Sequence, residues 1–187
     1  KLCLNENLSS EITVQPLRRF DIDAAIIFSD ILLVPFALGQ PVKFKKDFGP
    51  LLGEIDFNKM LNLNEIQFTD KLKPVYNAIK KTKDKEELRN KDLIGFVGAP
   101  WTILIYMLNQ KSPKNDDIKH NLKDKELIKD LLETIVKFLK IHINNQIESG
   151  ATIIQIFDSW AGLLNEKDYD KFIYNPTKDL VSFVKSK

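Results

Sequence analysis

The sequence has very few of the residues that bind metals or form covalent crosslinks. Its 187 residues contain one cysteine, Cys3, and two histidines, His120 and His142. A single cysteine excludes an internal disulfide and a cluster of thiolate ligands, and neither histidine has a second ligand residue at metal-binding spacing. His120 is interpreted as a surface residue and His142 as packed on a helix face. The sequence therefore predicts no metal site within this chain.

Long apolar runs, targeting signals and a large excess of one charge are also absent. No apolar stretch approaches the roughly 18 residues that a membrane span needs. The first residues, KLCLNE, resemble neither a signal peptide nor an arginine-rich transit sequence. The net charge is only +2 and there is no glycine-rich phosphate loop, so nothing indicates a nucleic-acid or nucleotide site. These absences predict a cytoplasmic protein that binds neither nucleic acid nor membrane.

What the sequence does contain is three short apolar runs, each ending in a cluster of polar or aromatic residues. Residues 24–28 precede Ser29 and Asp30, residues 93–97 precede the segment GAPW, and residues 152–157 precede the segment DSW. Each run is typical of a buried strand, and helix-forming sequence follows each one. The loops at the carboxyl ends of parallel strands carry the chemistry of α/β folds. Three clusters at equivalent positions therefore predict one shared site.

The segments between these strands predict helices. With 43% hydrophobic residues, the chain can bury the core of one globular domain over residues 1–187. Alternating strands and helices imply a parallel sheet with three to four βα units. A closed eight-stranded barrel needs about 250 residues, so part of a barrel and a smaller doubly wound sheet both fit. The first expected helix is Ser9–Phe20, with Ser9 or Ser10 as its cap, and a second begins near Pro74. The third is Glu126–Ser149, which ends at Gly150; a fourth begins after Asn165, and the fifth is Thr177–Lys187. Residues Lys43–Asp47 are expected to form an exposed loop.

Each cluster also has an ordinary structural interpretation. Asp30 is either a helix cap or a functional carboxylate, because a carboxylate among apolar residues is costly to bury without donors or a cation. The GAPW segment is either a strand-to-helix turn or a place where a ligand approaches the backbone. The ordinary interpretation of Tyr106 is a core tyrosine, and that of Ser159 is a helix cap. No single cluster identifies a reaction.

Taken together, four segments resemble the uroporphyrinogen decarboxylase family. They are QPLRRF (15–20), AAIIFSDI (24–31), GFVGAPWT (95–102) with Tyr106-Met107, and QIFDSWAG (155–162). The resemblance implies a (β/α)8 TIM barrel, of which about half is present in this chain. It implies a cofactor-independent, homodimeric carboxy-lyase that converts the four acetate side chains of uroporphyrinogen III to methyls, giving coproporphyrinogen III in haem biosynthesis.

The resemblance also implies roles for individual residues. Asp30 matches the family's central carboxylate, Tyr106 its active-site tyrosine and Ser159 its substrate-contacting serine, while Phe96 and Phe157 match aromatic residues that line the cleft. A carboxylate in a low-dielectric cleft stabilises the protonated pyrrole that decarboxylation requires, and its lone pairs suit the pyrrole N–H groups. Tyr106 is expected to donate a hydrogen bond to Asp30 or to a substrate carboxylate.

Two features separate this chain from the complete family pattern. The family's arginine-rich segment lies upstream of residue 1 and its later histidine lies beyond Lys187, so we expect this chain alone to be inactive. Lys43, Lys45 and Lys46 stand where acidic or neutral residues are common, and residues 109–112 replace a glycine-rich turn.

Two alternatives stay open: a related corrinoid-dependent methyltransferase with zinc ligands later in the barrel, and a non-catalytic interaction module with exposed sheet edges.

Overall fold

The computed structural model describes residues 2–113 and 124–187. His120 therefore lies outside the described residues. The strands are β1 (Ala24–Ile26), β2 (Val42–Lys45), β3 (Gly49–Leu52), β4 (Asp92–Gly98) and β5 (Ile153–Phe157). The helices are α1 (Glu6–Arg19), α2 (Leu33–Ala37), α3 (Phe57–Leu61), α4 (Glu65–Lys83), α5 (Pro100–Asn109), α6 (Lys125–Glu148), α7 (Glu166–Tyr169) and α8 (Asn175–Lys185).

A parallel sheet lies at the centre of the structure, as the three apolar runs predict. Strand β4 pairs with β1 on one side and with β5 on the other, and both pairings are parallel. In this register Ile26 lies beside Ile94, which lies beside Ile153. The three strands thus follow one another across the sheet in chain order, with helices in the connections. This is the order of an α/β barrel, whereas a doubly wound sheet reverses its order at a switch point.

The two faces of the sheet meet different surroundings. Helix α1 packs against β1, and α6 packs against β4 and β5. On the covered face Ala25 and Leu93 are buried, whereas on the other face Ile26 is 57% exposed and Ile153 is 43% exposed. A doubly wound sheet has helices on both faces. Helices on one face and an open apolar face on the other are therefore typical of one section of a barrel wall.

Helices α4 and α6 form the centre of the outer layer. The rings of Phe68 and Phe138 lie 4.7 Å apart between them. Tyr76 Oη lies 3.1 Å from His142 Nδ1 in the same interface. Burial lowers the pKa of His142 to about 3, so this imidazole is neutral. The interpretation of His142 as a packed residue is confirmed, because it is 3% exposed.

Two predicted helix starts are wrong. Helix α1 begins at Glu6, because the side chain of Asn5 accepts hydrogen bonds from the backbone N–H groups of Asn7 and Leu8, so neither Ser9 nor Ser10 is the cap. Helix α4 begins at Glu65 and contains Pro74 within it. A proline removes one helical hydrogen bond, and the buried apolar face of α4 against α6 offsets that loss.

The segment predicted as an exposed loop is instead a β-hairpin. Strands β2 and β3 pair in antiparallel register, with Lys43 opposite Leu51 and Phe44 opposite Pro50. The turn between them contains Asp47 at φ 67° and a glycine at φ 81°. Asp and Gly are among the residues that adopt this left-handed conformation at least cost. The remaining predicted elements agree with the structure to within two residues, and Gly150 ends the α6 turn with a positive φ of 116°.

Candidate active site

Two hydroxyl groups of α1 hold the backbone that leads from β1 to Asp30. Ser9 Oγ donates a hydrogen bond to the Phe28 carbonyl (2.6 Å), and the Phe28 N–H donates to Thr13 Oγ1 (2.9 Å). Thr13 in turn donates to the Ser9 carbonyl (2.7 Å). Ser9 and Thr13 are four residues apart and so share one face of the helix. Sequence reasoning missed this role because it assigned Ser9 to the helix cap.

Asp30 follows β1 and is half-buried. Its Oδ1 accepts a hydrogen bond from the Leu32 N–H at 2.7 Å. Burial raises the pKa of the Asp30 carboxyl above its usual range, and the hydrogen bond from Leu32 opposes that shift. No ion pair reaches Asp30 from any residue that the structure describes. Asp30 thus makes a local turn bond and also has a carboxylate without a counter-ion.

Asp30 opens into a cavity of about 220 Å³ that we call the Asp30 cavity. Apart from the carboxyl and the thiol of Cys3, the side chains around it are apolar. Burial, and then the charge of Asp30, raise the pKa of that thiol. A single carboxylate in an apolar recess is suited to an apolar ligand that presents positive charge or N–H donors. The lining residues are Cys3, Leu4, Asp30, Leu32, Leu33, Phe36, Val42 and Phe44.

The clusters after β4 and β5 are joined by one threonine. Thr102 Oγ1 donates to Asp158 Oδ1 (2.7 Å) and accepts a hydrogen bond from the Trp160 N–H (3.1 Å). Burial raises the pKa of Asp158, and the hydrogen bond from Thr102 opposes that shift. Thr102 is fully buried. The turn on either side of Ser159 is therefore fixed by a residue that sequence reasoning did not single out.

The GAPW segment is buried in the core. Trp101 is fully buried, its ring stacks on Phe172 at 6.3 Å, and its Nε1–H donates to the Trp160 carbonyl at 3.1 Å. A Cβ on Gly98 would lie 2.7 Å from the Ile103 side chain. The small residues here let strand β4 and helix α5 pack closely. This agrees with the interpretation of the segment as a strand-to-helix turn.

The five candidate site residues fall into three groups. The rings of Phe96 and Phe157 lie 5.6 Å apart, edge to face, on the open side of the sheet. The ring of Tyr106 lies 6.0 Å from that of Trp160, the residue next to the exposed Ser159. Asp30 forms the third group, because within residues 2–113 and 124–187 its side chain bonds to its own turn and no hydrogen bond joins it to Tyr106. The predicted hydrogen bond from Tyr106 to Asp30 is therefore not among the described contacts, and the roles of all five residues stay predictions.

Phe96 is held by a buried amide. Gln146 of α6 accepts a hydrogen bond from the Phe96 N–H at Oε1 (3.0 Å) and donates from Nε2 to the Phe96 carbonyl (3.1 Å). A Cβ on Gly95 would stand 2.4 Å from Gln146 Oε1. Position 95 therefore needs glycine so that the amide can reach the strand, a pairing that only the structure reveals.

Three further observations concern the rest of the described residues. In the part of the chain that the structure describes, no group of three His, Cys, Asp or Glu residues is arranged to share a metal ion. None of the described helices is both long and apolar enough to cross a membrane. A larger groove of about 640 Å³ lies between α6 and α8, but three of its four lysines pair with acids, as Lys140 does with Asp179 at 2.8 Å. That groove carries no arrangement suited to catalysis.

Similarity to known proteins extends over the whole chain. A family model described as "Uroporphyrinogen decarboxylase (URO-D)" matches residues 1–187. Proteins named uroporphyrinogen decarboxylase from Rickettsia bellii and Rickettsia canadensis are 43% and 42% identical to this chain, over 99% and 98% of its length. One from Orientia tsutsugamushi is 41% identical over 100% of this chain. The chain spans about half the length of these relatives, 55%, 54% and 55% respectively.

A solved structure has the same fold. It is a methyltransferase from Methanosarcina mazei, which superimposes with a TM-score of 0.74 over 97% of this chain and 54% of its own length. The two sequences are 18% identical, so this likeness concerns the fold alone. Together with the chain-ordered parallel sheet, it confirms the predicted α/β barrel class and the expectation that about half of the barrel is present.

Proposed function

We propose that this chain, which belongs to the uroporphyrinogen decarboxylase family, takes part in removing carbon dioxide from the four acetate side chains of uroporphyrinogen III. The product is coproporphyrinogen III, an intermediate on the route to haem. The observation that carries the proposal is Asp30, a half-buried carboxylate that opens into an apolar cavity without a described counter-ion. Because the chain spans about half of its relatives, the proposal concerns the complete protein.

The Asp30 cavity suits the electronic demand of this reaction. A proton adds to a pyrrole carbon and makes the ring cationic, and the electron pair of the breaking C–CO₂ bond then neutralises that cation. A second proton converts the resulting methylene to a methyl, and loss of the first proton from the ring carbon restores the neutral aromatic pyrrole. A fixed carboxylate stabilises the cationic ring strongly in a site from which water is largely excluded. Burial of Asp30 removes competing water, so its lone pairs are available to pyrrole N–H groups.

The remaining candidate residues have roles at the edge of the macrocycle in this proposal. Tyr106 and Ser159 offer hydroxyl donors to acetate or propionate groups, and Trp160 holds the Tyr106 ring edge to face. Phe96 and Phe157 present aromatic surface on the open side of the sheet, where Phe157 is 40% exposed. Such a surface suits a flat, mostly apolar ligand.

Several finer properties belong to the proposal and rest on the family resemblance. They are a cofactor-independent mechanism, a tetrapyrrole as the ligand, a homodimer, a cytoplasmic location and a single barrel domain that includes residues 1–187. The methyltransferase alternative has in its favour only a shared fold at 18% identity. No geometry of the described residues favours it over decarboxylation.

The decisive experiment uses the full-length protein with uroporphyrinogen III, and it counts carboxyl groups in the products after their oxidation to fluorescent porphyrins. The wild-type protein should give coproporphyrin. Asp30→Asn should fold and lose at least about a hundredfold in kcat, the scale of one preorganised electrostatic contact. Asp30→Glu keeps the charge and should retain more activity than Asp30→Asn. A full-length protein that leaves all acetates intact would refute the proposal.

A further inference from the structure

The β2–β3 hairpin contributes two side chains, Val42 and Phe44, to the Asp30 cavity. Phe44 is nevertheless 64% exposed. Exposure of this apolar ring to water is unfavourable, and a ligand resting against the ring would remove that surface from water. Val42 and Phe44 are two residues apart in one strand and so lie on the same face of it. The hairpin thus presents one apolar face to the cavity that contains Asp30.

The base of the hairpin is fixed to the rest of the molecule. The Leu52 N–H donates to the Gln110 carbonyl at 2.7 Å, just beyond the end of α5. Gln40 Nε2 donates to the carbonyls of Gly53 (2.8 Å) and Met107 (2.9 Å), and Gln40 is 1% exposed. Met107 is the residue that follows Tyr106. These bonds therefore connect the hairpin to the helix that carries another candidate site residue.

The same hairpin is rich in positive charge. Lys43, Lys45 and Lys46 are exposed, and none forms an ion pair with any residue in 2–113 or 124–187. Lys45 Nζ lies 4.5 Å from the centre of the Phe48 ring. Alternation along β2 places Lys43 and Lys45 on the opposite face from Phe44. These charges are therefore suited to attract an anion towards the cavity over a distance.

We propose that the β2–β3 hairpin forms one side of the substrate site, with Phe44 in contact with the macrocycle and the three lysines attracting its carboxylates. This inference rests on the proposed function, because that function supplies a ligand with a flat apolar centre and an anionic rim. Phe44 is then a substrate-binding residue that complements Asp30, and the lysines raise the rate of encounter.

The hairpin itself provides a matched pair of phenylalanines for the test. Phe44 and Phe48 are 64% and 62% exposed, and of the two only Phe44 is among the residues that line the Asp30 cavity. In the full-length protein, Phe44→Ala should raise KM for uroporphyrinogen about three- to tenfold, the range of one aromatic contact. Phe48→Ala should stay within about twofold of wild type, and Phe44→Tyr should restore binding.

The lysines are tested by a charge-matched comparison. We expect the Lys43→Gln/Lys45→Gln/Lys46→Gln variant to lose about five- to tenfold in kcat/KM at low salt, and the deficit should vanish near 1 M salt. The control removes three exposed lysines from the outer helices, Lys73→Gln/Lys80→Gln/Lys185→Gln, and should stay within about twofold of wild type. Equal losses in both triple variants would show a net-charge effect and overturn the role of the hairpin lysines.

A binding measurement separates this inference from the proposed function. Uroporphyrin, the oxidised fluorescent form of the proposed substrate, serves as a probe that requires no turnover. If the wild-type protein decarboxylates but Phe44→Ala matches wild type in both KM and uroporphyrin affinity, the hairpin inference is overturned and the function stands. If the wild-type protein lacks activity but binds uroporphyrin in a Phe44-dependent manner, the proposed function fails and the hairpin site is supported.

Discussion

Asp30 and Asp158 occupy equivalent positions and meet different partners. Each follows a strand of the parallel sheet, and burial raises the pKa of each carboxyl. Asp158 accepts a hydrogen bond from the side chain of a fully buried residue, Thr102 (2.7 Å), which belongs to the cluster after the neighbouring strand β4. Asp30 accepts one from its neighbouring backbone at Leu32 (2.7 Å) and otherwise faces an apolar cavity.

The difference separates a carboxylate held by a distant side chain from one that we propose acts on a ligand. A buried charge is costly unless donors or cations compensate it. Asp158 accepts its hydrogen bond from a side chain distant in sequence, and the result is a fixed turn beside Ser159. Asp30 accepts its hydrogen bond from its own turn, and our proposal assigns its remaining partner to a ligand with N–H groups or positive charge. Sequence position alone makes the two residues equivalent, and the surroundings distinguish them.

Removing the Thr102 hydroxyl should produce the largest change in stability. Thr102→Val preserves shape but removes the donor to the half-buried Asp158 and the acceptor of the Trp160 N–H, so we expect a loss of about 1–3 kcal/mol in the free energy of unfolding of the full-length protein. Thr82→Val is the matched control. Thr82 is also fully buried, but its hydroxyl donates to the carbonyl of Ala78 in its own helix (2.7 Å).

Urea denaturation of both variants checks this prediction. Thr82→Val should cost less than about 0.5 kcal/mol, because the Ala78 carbonyl keeps its helical hydrogen bond. Thr102→Ser keeps the hydroxyl and should recover the part of the loss that belongs to the hydrogen bond. Equal losses in the two valine variants would mean that Asp158 gains nothing from Thr102, and the contrast with Asp30 would then disappear.

A buried base extends the comparison. The pKa of His142 is lowered from 6.5 to about 3 by burial, so at pH values between these two the unfolded chain binds a proton that the folded chain does not. Stability is therefore lost as the pH falls below 6.5, by about 1.4 kcal/mol between pH 8 and pH 5.5 for this residue. Denaturation midpoints across this range check the slope. His142→Gln should remove that part of it, and an unchanged slope would contradict neutral burial.

The open side of the site provides the third contrast. Tyr106→Phe and Ser159→Ala should each change stability by less than about 1 kcal/mol, because neither hydroxyl has a described structural partner. Each should nevertheless lower kcat/KM for uroporphyrinogen. Tyr174→Phe, at a tyrosine 49% exposed beside the outer helices, is the control and should leave turnover unchanged. A large loss of stability without a kinetic defect would make Tyr106 and Ser159 structural residues.

Much of this architecture was predictable because it depends on local patterns. Apolar runs identified β1, β4 and β5, and three-to-four spacing identified α6. The hairpin was missed because Lys43, Lys45 and Lys46 resemble a solvated loop, whereas its pairing depends on a left-handed turn at Asp47. Contacts distant in sequence were not predictable, since no local pattern links Ser9 to Phe28, Thr102 to Asp158 or Gln146 to Phe96. Motif matching supplied the candidate residues, and only the structure showed which side chains hold them.

The smallest expected effect concerns the stability of Asp30 itself. Because burial raises its pKa in the folded protein, the stability it contributes is present below the unfolded pKa of about 3.9 and is lost as the pH rises through the folded pKa. At neutral pH the charged carboxylate therefore costs stability in the absence of ligand.

Asp30→Asn removes the charge, and its side-chain oxygen can still accept the Leu32 hydrogen bond. We expect this variant to be more stable than wild type at pH 7 by an amount on the order of 0.5 kcal/mol. The advantage should shrink as the pH falls through the folded pKa and wild-type Asp30 becomes protonated, and chemical denaturation of the full-length protein at neutral and at acidic pH measures it. A less stable Asp30→Asn at pH 7 would mean that the charged carboxylate stabilises the fold without a ligand, and the proposed role of Asp30 would lose its energetic basis.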